Sequence, residues 1–173
     1  PPLGEGERTP LVLGVDAGLF NDHFAIVGVT RDPARAAEGI PRIAREWLPP
    51  VDFGEVEAFI RALVAQHNVV QLAYDPYQLE DMAQRLSDVV WCASFDQGKK
   101  RAVADKGLRD AIVQRRTRRL DHTELRQHLA NAGIKTSRDD GALRIVKRAP
   151  SKKVDCAVAF SMALHAACVD LNL

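Results

Sequence analysis

The sequence predicts an α/β fold on a mixed five-stranded sheet, in which an antiparallel three-strand meander continues into parallel strands, with helices on the flanks. Three observations predict it. Three short apolar runs succeed one another over residues 11–48 with only short polar turns between them, strand and helix periods alternate over residues 55–95, and an apolar, alanine-rich segment closes the chain.

Taken in order, residues 11–15 form an apolar run that ends in Asp16 and Gly18, and residues 23–30 carry Ile26, Val27 and Val29. These read as two strands joined by a polar turn. Residues 40–48 alternate through Ile43, Arg45 and Trp47 and make a third strand, closed by Pro49 and Pro50, which cannot donate to a ladder. Residues 55–67 then place Val56, Phe59, Ile60, Leu63 and Val64 at helical spacing, and residues 69–74 form a buried strand ending in Asp75 and Pro76. A second helix over 77–86 and another buried strand over 89–95 complete a β-α-β-α-β alternation, which requires parallel neighbours because each crossover returns the chain to the same sheet end. Beyond Gly98 the spacing of Val103, Leu108, Ile112 and Val113, and then of Leu125, Leu129 and Ala130, is helical, with Gly133 expected to stop the second of these helices. Residues 134–136 and 142–146 flank Asp140 and Gly141, the turn chemistry of a β-hairpin, here a basic one. Residues 154–169 form the closing apolar helix.

A chain of 173 residues with 46% hydrophobic composition buries one sizeable core, so residues 10–173 are expected to form one domain. Residues 1–9, rich in Pro, Gly and Glu and beginning without Met, read as a linker from a missing N-terminal domain. Cys92, Cys156 and Cys168 lie in apolar stretches without CxxC spacing, which points away from zinc and towards reduced core thiols. No run of 18 apolar residues and no signal-peptide pattern is present, so no membrane is expected. Charge is unevenly spread: residues 1–97 carry 7 basic and 15 acidic side chains, and residues 98–153 carry 17 basic and 6 acidic ones. The basic third points to a polyanion, although a generic excess of this kind also solvates helix faces.

Three aspartates sit where chemistry is expected: Asp16 at the end of the first strand, Asp75 at the end of the first parallel strand, and Asp155 at the start of the last helix. Each is embedded in apolar sequence, where a carboxylate is costly unless a cation compensates it. Any one of them taken singly also suits a turn or N-cap role, Asp155 above all. Together they would meet at one edge of the sheet and offer all-oxygen ligands to a hard divalent cation. The five histidines are scattered and read as surface or packing residues, with His23 set apart by its closeness to Asp16 and Asp22.

Gly14-Val15-Asp16-Ala17-Gly18 on a first strand, Tyr74-Asp75-Pro76 after the fourth, and Lys153-Val154-Asp155-Cys156-Ala157-Val158-Ala159 opening a final helix resemble the nuclease domain of tailed-phage large terminases, a family of the ribonuclease H-like superfamily. The resemblance covers essentially the whole chain. It implies Asp16, Asp75 and Asp155 as catalytic metal ligands, Asp16 bridging two Mg2+ or Mn2+ ions, and Asp22 as an additional acidic residue near them. It further implies hydrolysis of double-stranded DNA by a two-metal mechanism, which needs no side-chain nucleophile and here cuts concatemeric viral DNA during genome packaging. Lys99, Lys100, Arg101, Arg115, Arg116, Arg144, Lys147, Arg148, Lys152 and Lys153 would then hold phosphates. The implied partners are an ATPase domain in the same polypeptide, the small terminase subunit and the portal, in the cytoplasm of an infected bacterium. ATP is not expected in this stretch, which lacks a GxxxxGK[ST] loop.

Other readings share parts of the pattern. A Holliday-junction resolvase or a ribonuclease H would show the same acidic cluster. An actin-like ATPase lobe would need a second glycine-rich phosphate turn, and a non-catalytic DNA-clamping module would be expected to lack one of the three carboxylates.

Overall fold

The computed structural model describes residues 2–18, 23–32, 34–35, 38–118 and 121–173. Asp22, expected as an additional metal ligand, lies outside the described residues. The central sheet has the order β3-β2-β1-β4-β5, built from β1 (Leu11–Ala17), β2 (Phe24–Arg31), β3 (Gly39–Trp47), β4 (Val69–Tyr74) and β5 (Cys92–Ser94). β1 pairs antiparallel with β2 and β2 antiparallel with β3, whereas β4 runs parallel to both β1 and β5. The meander, the switch to parallel pairing and the five strands are those the patterning predicts.

Alternation along β1 divides the core in two. Leu11, Leu13, Val15 and Ala17 face α1 (Phe53–Gln66) and α2 (Pro76–Leu86), where Ile60, Leu63, Leu79 and Leu86 cover them. Val12, Gly14 and Asp16 face the opposite side, where α3 (Lys99–Val113), α4 (Thr123–Asn131) and α5 (Asp155–His165) lie. α5 is buried almost all round because it sits between the sheet and the other two helices, which is why its sequence is apolar on every face. Among the described residues no helix is long and apolar enough to cross a membrane. Residues 2–10 form no helix or strand, and Glu7 of this segment bonds Arg42 of β3 at 2.6 Å.

Three expectations are corrected in detail. The strand expected over 89–95 is shortened to β5: the Trp91 carbonyl still accepts the Leu72 N–H at 2.9 Å and the Phe95 N–H donates to the Tyr74 carbonyl at 2.7 Å, but the Val89 and Trp91 side chains are exposed. Gly133 stops no helix: α4 ends at Asn131, and Gly133 lies in β6 (Ala132–Thr136), where an added Cβ would come 3.2 Å from Arg148 Cγ. The closing helix leaves α-geometry at His165 and finishes as a π-helical turn, Ala166–Asp170. The basic hairpin forms as expected from β6 and β7 (Leu143–Lys147), with Gly141 at φ 67° in its turn.

Candidate metal centre

Asp16 is the penultimate residue of β1, the central strand, and lies opposite Ala25, which lies opposite Glu46 of β3. Residues directly opposite one another project to the same face, so Asp16 and Glu46 share the face that carries α5. On the other side of β1, Gly14 pairs with Ala73 of β4. Asp75 stands two residues beyond Ala73 and therefore on the same face, at the same sheet end, as Asp16. Asp155 is the first residue of α5 and is 4% exposed.

The electrostatics agree with this convergence. Burial pushes the Asp16 carboxyl up to about 7; the Arg101 guanidinium pulls the other way, and the charges of Asp155, Asp75 and Asp105 push it higher still. By solvent exposure Asp16 is half-buried, and a carboxyl desolvated beside three others is a site short of positive charge whose donors are oxygens, the set a hard divalent cation takes.

The capping role falls on the opposite aspartate from the one the sequence favours. Asp75 is the N-cap of α2, its Oδ1 accepting the Tyr77 N–H at 3.0 Å, with Pro76 at the first helical position. Asp155 is not a cap: the N-cap of α5 is Val154, which offers no side-chain bond.

The basic residues do not form one surface. Lys99 and Lys100 open α3 with no acidic residue in its first turn, an arrangement the helix dipole disfavours. Lys100 pairs with Asp170 at 2.6 Å and lies over the Phe95 ring. Arg101 is buried, bonded to Asp105 at 2.8 Å and to Gln97 at 3.0 Å, so it acts on the carboxylates from inside and does not reach a surface phosphate. Asp105 is fully buried and also accepts from Ser161 Oγ at 2.8 Å and from the Ile145 N–H at 2.9 Å, tying α3, α5 and β7 together. Arg144 donates to the Gly98 carbonyl at 2.8 Å, and Arg148 to the Ala132 carbonyl at 2.9 Å. Arg115 and Arg116 lie past the far end of α3, beside Thr117, whose hydroxyl bonds the Gly39 carbonyl at 2.8 Å at the start of β3. Fifteen helical residues span roughly 22 Å, so these two arginines are at the end of the sheet remote from Asp16. Lys147 closes β7, and Lys152 and Lys153 lead into Asp155.

Two residues next to the carboxylates carry no signal in the sequence read alone. Glu46 Oε1 is bonded by His23 Nδ1 and lies 3.1 Å from His128 Nε2. Burial holds the His128 ring below the usual imidazole range, against the pull of Glu46 and Asp155. Helical spacing places His128 on the buried face of α4 but cannot name its partner, which belongs to a distant strand.

A five-stranded sheet of this order, with carboxylates gathered at one end of its central strand and helices on both faces, defines a ribonuclease H-like fold. The chain belongs to the family of terminase large subunit endonuclease domains, whose profile matches residues 50–170. The Gene 13 protein of Mycobacterium phage L5 is 28% identical over 185 aligned positions, which cover 95% of this chain and 30% of that protein. The chain thus spans under a third of the length of that relative. The crystal structure of the HK97 bacteriophage large terminase superimposes with a TM-score of 0.79 at 16% identity, over 95% of this chain and 41% of that one. The large terminase nuclease from thermophilic phage G20c, crystallised with bound magnesium, gives a TM-score of 0.64 at 10% identity, over 89% of this chain and 79% of that one.

Proposed function

We propose that this chain is the nuclease part of a phage large terminase, a divalent-metal-dependent endonuclease that hydrolyses phosphodiester bonds of double-stranded DNA and cuts concatemeric viral DNA during packaging. The observation that carries the reading is the gathering of Asp16, Asp75 and Asp155 at one end of the sheet, where the charges of the other two act on the half-buried Asp16 carboxyl. Family membership and the magnesium bound by the G20c nuclease support it.

Asp16 would be the ligand shared by both ions, since it stands between Asp75, just past the end of the neighbouring strand, and Asp155 at the start of the overlying helix. Asp22 remains in the proposed ligand set. Two Mg2+ or Mn2+ ions, when bound, supply an activated water and neutralise the leaving oxygen. Arg101, clamped by Asp105 and Gln97, keeps a fixed positive charge near the carboxylates and limits their repulsion. Phosphates of the duplex are held by Lys99 at the start of α3 and by Lys147, Arg148, Lys152 and Lys153 on the path from the hairpin to Asp155, with Lys100 and Arg144 bracing that surface. Arg115 and Arg116 stand outside this path. The proposed partners are an ATPase domain of the same polypeptide, the small terminase subunit and the portal, in the cytoplasm of the infected host.

The test is incubation of plasmid DNA with the purified protein and Mn2+ or Mg2+, beside Asp16→Asn, Asp75→Asn, Asp155→Asn and Asp22→Asn variants and an EDTA control. Metal-dependent cutting lost in the first three variants supports the assignment. DNA binding without cutting by the wild type rejects it in favour of a clamping module.

A further inference from the structure

His23, Glu46 and His128 bring nitrogen and oxygen atoms within 4.8 Å of one another, a spacing that would suit a cation. The hydrogen bonding of His128 points elsewhere. Its Nδ1 accepts the backbone N–H of Cys156 at 3.0 Å. A ring nitrogen that accepts carries no proton, so the proton of the neutral ring is on Nε2, which lies 3.1 Å from Glu46 Oε1, the acceptor it faces. A metal at Nε2 would need the lone pair that this tautomer uses for N–H. The cluster is therefore a hydrogen-bonded chain, not a ligand set.

What that chain holds is the start of α5. The first N–H groups of a helix have no partner within it, and the N-cap Val154 supplies none from its side chain. Cys156 is buried, so water cannot serve its N–H. His128 does so from α4, while Asn131, one turn further along α4, donates from Nδ2 to the Lys153 carbonyl at 3.1 Å. α4 thus grips the chain on both sides of Asp155, and Glu46 anchors the grip to the sheet on the row that contains Asp16.

We propose that His128, Asn131 and Glu46 are positioning residues that fix Asp155 against Asp16 and so set the divalent-metal affinity of the centre. This rests on the metal-site reading above, but its first readout does not need a metal. In metal-free protein, long-range 1H–15N correlation should show His128 protonated at Nε2 and unprotonated at Nδ1. Mn2+ titration by calorimetry, with an unfolding curve recorded for every variant, should then show His128→Leu weakening the affinity by about 10–100-fold, the usual cost of losing support behind a ligand. Asn131→Ala should weaken it less while leaving the fold intact, and so carries the test if His128→Leu does not fold. Glu46→Gln, which keeps an oxygen acceptor for Nε2–H, should stay within about threefold of the wild type, the size of effect expected when a hydrogen bond is kept. A proton on Nδ1, or wild-type Mn2+ affinity in folded His128→Leu and Asn131→Ala, overturns the proposal. So does a loss of one Mn2+ equivalent at unchanged affinity for the rest, which would make the cluster a metal site. Absence of Mn2+ binding by the wild type would overturn the metal-site reading, and with it the affinity part of this one, whatever tautomer is found.

Discussion

A Cβ added at Gly14 would lie 2.0 Å from the carbonyl oxygen of Ala159 and 2.9 Å from the Ala163 nitrogen, so α5 crosses β1 at van der Waals contact of backbone with backbone. This contact sets the spacing of the proposed metal ligands. Asp16 is two residues along the strand from Gly14, about 6.6 Å, and Asp155 is four residues back along the helix from Ala159, about 6 Å. Equal steps from one crossing point bring the two carboxylates together. Gly14→Ala must push the helix off the sheet. It is expected to cost on the order of 3 kcal/mol in chemical denaturation and to abolish Mn2+ binding even where the protein remains folded.

Asp75 is the N-cap of α2 and a proposed metal ligand, two roles that can be separated. Serine caps a helix about as well as aspartate, but it offers no carboxylate. Asp75→Ser should unfold at the wild-type denaturant concentration and yet fail to cut DNA. Asp75→Ala should fail to cut and also lose about 1 kcal/mol of stability.

Burial raises the Asp16 carboxyl to about 7, above its value of 3.8 in an unfolded chain. A folded-state value above the unfolded one disfavours the charged form, so the metal-free protein loses stability as pH rises from about 4 through about 7, where the unfolded chain ionises first. Asp16→Asn removes that loss. Thermal melts in EDTA should show the variant more stable than wild type at pH 8 and no such advantage at pH 4. Mn2+ competes with the same proton, so its stabilisation of the wild type should be larger at pH 8 than at pH 5.5.

Asp105 joins Arg101, Ser161 and the Ile145 N–H in the interior. Asp105→Ala leaves the Arg101 charge buried without its partner, a change worth about 3–5 kcal/mol. Denaturation should show that loss, and limited proteolysis should cut the hairpin first, because one of its ties to α3 is gone.

Phosphate contacts release counterions, so each one lost lowers the slope of log affinity against log salt by about 1. Lys152→Ala and Arg148→Ala should each do this in a filter-binding series on duplex DNA. Arg115→Ala, at the far end of α3, should leave the slope unchanged.

The meander, the parallel switch and the positions of the three aspartates at the ends of elements were legible because each rests on a local pattern: alternation, helical spacing, or a carboxylate closing an apolar run. What was not legible depends on contacts between distant segments. The run over 89–95 is apolar but for Ser94, and only its place at the sheet margin shows that Trp91 stays exposed. Sequence alone favours Asp155 as a cap over Asp75, because both precede helical sequence and only backbone geometry tells cap from first residue. The charge of Arg101 suggested a surface contact, although its spacing to Asp105, four residues on among Ala102, Ala104 and Leu108, is the signal of an internal ion pair. His128 and Glu46 lie on different elements, and nothing local links them.

Asp16, Asp75 and Asp155 are proposed to form one divalent-metal site together. Anomalous diffraction from crystals soaked in Mn2+ tests it most directly. Anomalous density is expected within coordination distance of all three carboxylates, with none between Glu46 and His128. Density confined to His23, Glu46 and His128, or none near Asp16, would contradict it.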